Sequence, residues 1–479
     1  MMKHFKDGDY APSYFELAAS IYRKYGILEL LNKATKKALF WAKKKSFKFS
    51  YFYFWLNYKN AYLAKKTPNL RFYFDDNQRT KIKDFYDSRD VLAQTCVSDA
   101  NRIINHQFNI LGSTFNAGSS INWSKDYKAG FLWSKQFYQD IVTIDLSNNA
   151  DVKNVWELSR FNHLFTLGKA YWITNDTKYY KETKKQIINW EQENSLYKSV
   201  NWTCTMEVAI RSINWIFSYF HFKDAIDKDL DFKNLLNKLL YFHGEYIANN
   251  LENYNKLRNN HYVANLVGLL FLGLYFNENQ HQKNHKWIKF AVKELHREIK
   301  VQINKDGTSY ESSTNYQRVV GELFLHAYII GNLNGINFDD EYIARLKKIH
   351  TFLALIEKPN GFTPLVGDVD NGRLLIISKY FNWDKRNFSD VSDLAINALG
   401  LNVPKKNEQN DEELIWLGCL NSHPIASPIE KEKSLAFEEG GYYVLKNSYF
   451  YSFVRCGELS MKGQGGHSHN DQLSFELNV

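Results

Sequence analysis

The sequence predicts an α-then-β chain of two or three domains: a curved double layer of helical hairpins followed by antiparallel β structure. Three observations carry this. From Asp151 to about residue 400, successive segments repeat apolar residues at spacings of three and four, the helical period. After a polar stretch, "NVPKKNEQNDEE", the pattern switches to alternation in "SLAFEEGGYYVLKNSYFYSFVRCGEL", the period of strands. Finally, 479 residues exceed what one hydrophobic core ordinarily serves.

In chain order, residues 1–85 form an expected N-terminal helical arm, basic and aromatic as far as Lys66, whose Lys residues beside Phe, Tyr and Trp suit packing or a membrane surface. Residues 86–400 form the helical layer. It opens with a loop-rich part, "INHQFNILGSTFNAGSSINWSKDYKAGFLW", where turn residues surround short aromatic clusters. Helical segments follow, among them "VWELSRFNHLFTLGKAYWIT", "WTCTMEVAIRSINWIFSYFHF", "HYVANLVGLLFLGLYF" and "YQRVVGELFLHAYIIGNL". Apolar residues on more than one face suit inner and outer rings of helices that bury each other. No fixed-period repeat is visible, which disfavours a strict solenoid. Residues 401–432 read as a linker, and 433–479 as the start of a β domain. The closing "QLSFELNV" alternates Leu473, Phe475, Leu477 and Val479 with polar residues, the pattern of a half-buried strand. A strand needs partners, so a β domain that continues beyond the sequence is expected.

Hydrophobic residues make up 44% of the chain, enough for a folded core, and aromatics 16%, suited to helical cores or to a groove on which sugar rings stack. A net charge of +9 suits an acidic polymer as ligand, or a cationic surface with no specific partner. Cys96, Cys204, Cys419 and Cys456 are far apart with no CxxC pair, so neither a disulfide scaffold nor a thiolate zinc site is indicated, and all four read as buried small residues. The N-terminus "MMKHFKDGDYAPSYFELAAS" lacks an uninterrupted apolar run of signal-peptide length, and no run of about 18 apolar residues appears anywhere. Gly463, Gly465 and Gly466 lead into a strand rather than a helix, which excludes a nucleotide phosphate loop.

Three clusters carry candidate chemistry. In "LRNNHYVANLVGLLF", Asn259, Asn260 and His261 precede an apolar helix; an Asn there can cap the helix, or Asn260 can donate to a substrate carboxylate while His261 handles a proton. In "KDGTSYESSTNYQRVVGELF", an Asp306-Gly307 turn leads to Glu311 and then to Tyr316, Gln317 and Arg318 at a helix start. A phenol titrates near 10, so Tyr316 needs a neighbour such as Arg318 to act as a base; its alternative is core packing. In "GQGGHSHNDQ", His467 and His469 point the same way if the segment is extended, but two imidazoles make a weak metal signal without further ligands.

Six segments, "DVKNVWELSRFNHLFTLGKAYWITND", "NWTCTMEVAIRSINW", "NNHYVANLVGLLFLGLYF", "DGTSYESSTNYQRVVGELFLHAYIIG", "GDVDNGRLL" and "GGHSHNDQLSFEL", occur in an order that resembles the heparinase II/III family of polysaccharide lyases and related alginate lyases. The resemblance implies an incomplete (α/α) toroid of helical hairpins followed by the start of an antiparallel β-sandwich, with a cleft between them. It implies β-elimination at a uronic acid, with Asn260 neutralising the carboxylate, Tyr316 as acid or also base, and His261 or His467 as the alternative base. Substrate contacts are expected from Asn259, Arg318, Glu207, Arg211 and Arg373, with Asp368 and Asp370 in a loop that is equally well an Asx-stabilised turn. It implies zinc held by a histidine like His469, not stable without ligands beyond Val479. The partner expected is an acidic polysaccharide, not nucleic acid, with no integral membrane segment; the resemblance places the protein in the periplasm or cell envelope, with the cytoplasm the alternative. One departure stands out: where many members carry a glutamate within the His-bearing motif, this chain has Asn265. Two other readings compete: glycoside hydrolysis by carboxylates such as Glu207, Glu311 and Asp368, and non-catalytic glycan binding or assembly.

Overall fold

The computed structural model describes residues 68, 70–253, 258–277, 282–369, 372–403, 411–419 and 433–479. Most of the expected N-terminal arm, together with Asp370, lies outside them. Thirteen labelled helices and six strands order the described chain. The first are α1 (Arg79–Asp87) and α2 (Asp90–Ile104), then the hairpin β1 (Gln107–Ile110) and β2 (Ser113–Asn116), then α3 (Val152–Ser159), α4 (Leu164–Thr174), α5 (Lys178–Glu193) and α6 (Thr205–His221). There follow α7 (Leu230–Asn249), α8 (Asn260–Tyr275), α9 (Gln282–Gln302), α10 (Thr314–Leu333), α11 (Asp340–Leu355), α12 (Ser389–Leu399) and α13 (Asp411–Trp416). The chain closes with β3 (Leu435–Phe437), β4 (Tyr442–Lys446), β5 (Tyr451–Cys456) and β6 (Leu473–Asn478).

Alternate helices touch: α2 packs on α4, α4 on α6, α6 on α8, α8 on α10 and α10 on α12. Each inner helix also pairs with its outer neighbour, α4 with α5, α6 with α7, α8 with α9 and α10 with α11. This is the two-layered ring of an α/α toroid. Its cause is in the sequence, because a helix apolar on every side must be enclosed on every side. All residues of α6 are buried, and in α8 only His261 is not. Gly268 lets α6 and α8 approach closely, since a β-carbon there would lie 2.7 Å from the Ala209 methyl.

Three expectations are corrected. The segment "VWELSRFNHLFTLGKAYWIT" is two helices, interrupted where Phe161 adopts φ +63°. The expected linker 401–432 contains α13, whose Glu412, Glu413 and Trp416 are buried. Lys169 Nζ and Tyr86 Oη both donate to Glu412 Oε1, at 2.7 and 2.6 Å, so charges that read as linker polarity anchor α13 to α1 and α4. Cys96 and Cys204 are buried, but Cys419 is half-buried and Cys456 exposed.

The four strands form one antiparallel sheet in the order β3-β4-β5-β6. Tyr442, Val444 and Phe453 are buried, and Phe352 of α11 meets Phe437 and Tyr442 with ring centroids 4.8 and 5.5 Å apart. In β6 the facing is opposite to that expected of a half-buried strand. Glu476 turns toward the toroid, accepting from Lys358 Nζ and the Leu365 N–H at 2.7 Å each, while Leu473, Phe475 and Leu477 are 86, 72 and 59% exposed. A strand's two faces are fixed relative to each other, so pairing Glu476 inward turns its apolar neighbours outward.

Candidate active site

The turn predicted at Asp306-Gly307 sets the first wall of the site. Asp306 accepts from the Thr308 N–H at 3.1 Å, and Gly307 holds φ +96° where a β-carbon would strike the Lys348 carbonyl. The chain then presents Glu311 and enters α10, capped by Ser313, whose Oγ accepts from the Tyr316 N–H at 3.2 Å. Asn259 caps α8 in the same way, accepting from the His261 N–H at 3.2 Å, which leaves Asn260 as the first helical residue.

Glu311 joins the two helix starts. Its Oε1 accepts from the Asn260 backbone N–H at 2.9 Å and its Oε2 from Asn260 Nδ2 at 2.8 Å. Both residues are fully buried, and Asn260 Oδ1 accepts no hydrogen bond among the described residues. Burial raises the Glu311 pKa above the usual carboxylate range, against the opposing pull of His467 and the Asn260 donors.

The second wall comes from the sheet. The ring of His467, in the loop before β6, stacks on Tyr316 with centroids 3.6 Å apart and planes 20° from parallel. Its Nε2 faces Glu311 Oε2 at 3.5 Å and its Nδ1 faces Asp368 Oδ2 at 3.2 Å. The loop at 366–368 fastens this arrangement: the Asp368 N–H donates to the His467 carbonyl at 2.6 Å, the Gly367 N–H to Asp471 at 2.7 Å, and Ser313 Oγ to the Asp368 carbonyl at 2.8 Å. Gly367 has φ +74°, and a β-carbon would sit 2.4 Å from the His467 carbonyl oxygen.

His261 lies beside this centre, half-buried, with Nδ1 3.0 Å from Glu252 Oε1. Burial works against its protonation, but Glu252 and Cys204 outweigh this and lift its pKa well above the usual imidazole value. Glu252 was not identifiable from the sequence. It lies just past α7, and Asn265 holds it at both ends, Oδ1 accepting from the Glu252 N–H at 2.8 Å and Nδ2 donating to Glu252 Oε2 at 3.1 Å. The Asn that departs from the family pattern thus orients a carboxylate supplied from elsewhere in the chain.

Asn260, His261, Tyr316 and His467 are therefore gathered into one neighbourhood, with Asn259 at its edge as a cap. Four residues expected to contact substrate have internal partners instead. Glu207 forms a bidentate pair with Arg160, at 2.6 and 2.8 Å. Arg211 is fully buried, donates to His243 at 3.0 Å and lies over the Trp190 ring, and burial lowers its pKa to about 9. Arg318 donates to the Gly372 carbonyl at 3.1 Å and sits over Trp383; two residues from Tyr316 on a helix, it points to the other side. Arg373 pairs with Asp390 in the core. His469 is exposed and belongs to no group of three metal-ligating side chains among the described residues. No helix among the described residues is long and apolar enough to cross a membrane.

Comparison with known proteins follows the same lines. The pattern described as heparinase II/III N-terminus matches residues 54–395, and that described as heparinase II/III-like, C-terminal, matches 430–479. A heparin-sulfate lyase of Bacteroides stercoris is 24% identical over 249 residues, 48% of this chain and 37% of the relative. One from Pedobacter heparinus is 27% identical over 224 residues, 44% of this chain and 32% of the relative, so the match spans about a third of the length of each relative. Among solved structures, a heparinase III superposes with TM-score 0.55 at 15% identity, covering 98% of this chain and 64% of the other. A heparan sulfate lyase mutant from Pedobacter heparinus gives TM-score 0.50 at 20% identity, covering 80% and 54%. With the toroid, the docked sheet and the family pattern extending over most of its length, this chain belongs to the heparinase II/III family.

Proposed function

We propose that the chain cleaves a uronic-acid-containing polysaccharide by β-elimination, with a heparan-sulfate-like glycan as the first substrate to test. The observation that carries this is the stacking of His467 on Tyr316 beside the Asn260–Glu311 pair, which brings an acid, a base and an amide donor to one point.

The chemistry needs those three roles. The C5 proton of a uronate becomes removable only when the adjacent carboxylate is neutralised, because the carbanion's charge then spreads onto it. Asn260 fills that role with the Nδ2 hydrogen that Glu311 does not take. His467 removes the C5 proton, the C4–O4 bond breaks as the C4–C5 double bond forms, and the Tyr316 hydroxyl protonates the departing O4. Because Asn260 is fully buried, this reading requires the site to open as substrate enters. The names of the relatives, heparin-sulfate lyases, support the substrate class.

The test is the ultraviolet absorbance of an unsaturated uronate during incubation with heparan sulfate, alginate and hyaluronan. A rise with at least one glycan, lowered about 10²- to 10⁴-fold in Tyr316→Phe, is expected. Chain shortening without absorbance would overturn elimination in favour of hydrolysis.

A further inference from the structure

Three side chains with metal-ligating chemistry converge from three elements next to the proposed centre. Cys204 immediately precedes α6, Glu252 follows α7, and His261 is the second residue of α8. Their donor atoms form a triangle: Cys204 Sγ to Glu252 Oε1 is 3.6 Å, Cys204 Sγ to His261 Nδ1 is 3.7 Å, and His261 Nδ1 to Glu252 Oε1 is 3.0 Å. A tetrahedral zinc ion with ordinary Zn–S, Zn–N and Zn–O bonds spans edges of about 3.5 Å between sulfur and the lighter donors and about 3.3 Å between nitrogen and oxygen. The triangle matches one face of that tetrahedron to within a few tenths of an ångström.

The surroundings hold these donors as a ligand set is usually held. Glu252 offers Oε1 to the triangle while Oε2 accepts from the Met206 N–H at 2.8 Å and from Asn265 Nδ2 at 3.1 Å, so the carboxylate cannot rotate away. Cys204 is buried, and neither of the other two side chains is exposed.

We propose that Cys204, Glu252 and His261 bind one divalent transition-metal ion of the zinc class, with the fourth position open to water or a substrate oxygen. The thiol and imidazole protons leave to solvent as the bonds form. Ligation through Nδ1 leaves His261 with an Nε2–H, so that beside the lyase centre it acts as a donor and not as a base. The site does not depend on the lyase reading, and its test reads metal rather than turnover.

The experiment is titration of chelator-treated protein with Co²⁺, followed by the near-ultraviolet thiolate-to-cobalt charge-transfer band and the visible bands of tetrahedral cobalt, with Zn²⁺ competition by calorimetry. One equivalent with both signatures is expected. In Cys204→Ser the charge-transfer band disappears, and Glu252→Gln weakens binding at least tenfold. Asn265→Ala, which keeps all three ligands, retains the band with affinity lowered about 10- to 100-fold. Circular dichroism of each variant separates loss of metal from loss of fold. Absence of the band in folded wild-type protein, or a band that survives in Cys204→Ser, would overturn the proposal and leave the three groups as a hydrogen-bonded cluster.

Discussion

At the residue scale, the structure divides the charged groups of the helical domain into those that keep the ring together and those that face its chemistry. Glu207 belongs to the first kind. Removing Glu207 strips Arg160 of two charge-assisted hydrogen bonds but leaves it the Glu157 carboxylate, so Glu207→Ala should lower stability by about 1–3 kcal/mol, read by denaturant unfolding. The KM of whatever protein remains folded should be unchanged; a raised KM with normal stability would return Glu207 to the substrate site. Asn260→Ala should lower kcat by about 10²- to 10³-fold with folding retained, as loss of one preorganised donor does. Asn260, His261, Tyr316 and His467 could be nominated from the sequence because their types match the proposed chemistry and their motifs resemble a family; that they lie together only the fold shows. Glu311 was visible as a carboxylate but nominated for hydrolysis, since only the fold reveals that both its oxygens are engaged by Asn260. Arg318 misled through adjacency: neighbours two apart on a helix lie roughly 200° apart around its axis.

At the scale of elements, the bend at 366–368 and helix α13 matter most. Gly367→Ala places a methyl against the His467 carbonyl at a φ that L-residues resist, at a cost of about 1–3 kcal/mol. We expect lost activity with the helical circular dichroism preserved; full activity would mean that the bend does not hold His467. Helix α13 buries Glu413, whose carboxyl is pushed from 4.5 up to about 7, first by burial and then by the Asp390 and Glu412 charges. A carboxyl held above its unfolded value binds its proton more tightly when folded, so its contribution is fully present below about pH 4.5 and is lost as pH rises toward 7. Thermal midpoints measured across that window should fall less steeply in Glu413→Gln than in wild type, and identical slopes would refute the assignment. None of this was legible in a stretch that reads as polar linker, because polarity announces exposure unless the partners, here Lys169 and Tyr86, are known. The alternation of β6 was legible, but not which face meets the toroid, a choice made by Lys358 and the backbone at Leu365.

At the scale of the whole molecule, the helical succession and the switch to strands were readable because apolar residues recur at the helical period from one segment to the next and, in α6 and α8, on nearly every face, a signal that survives without knowledge of its neighbours. What could not be read was how the ends of the ring meet. Trp416 of α13 lies against Phe74 and Trp172, with centroids 5.0 Å away in each case, so the last described helix of the ring packs against its first segments. The stacking of Tyr316 on His467 has a further consequence. One ring belongs to a helix and the other to the loop of a sheet, so the proposed acid–base pair exists only while the two bodies touch. On that proposal, function behaves as a logical conjunction, true only when both halves are folded and docked. In a denaturant series, turnover should fade before helical ellipticity, and the interval between the two curves would measure how loosely the sheet is tethered; coincident curves would mean that ring and sheet unfold as one.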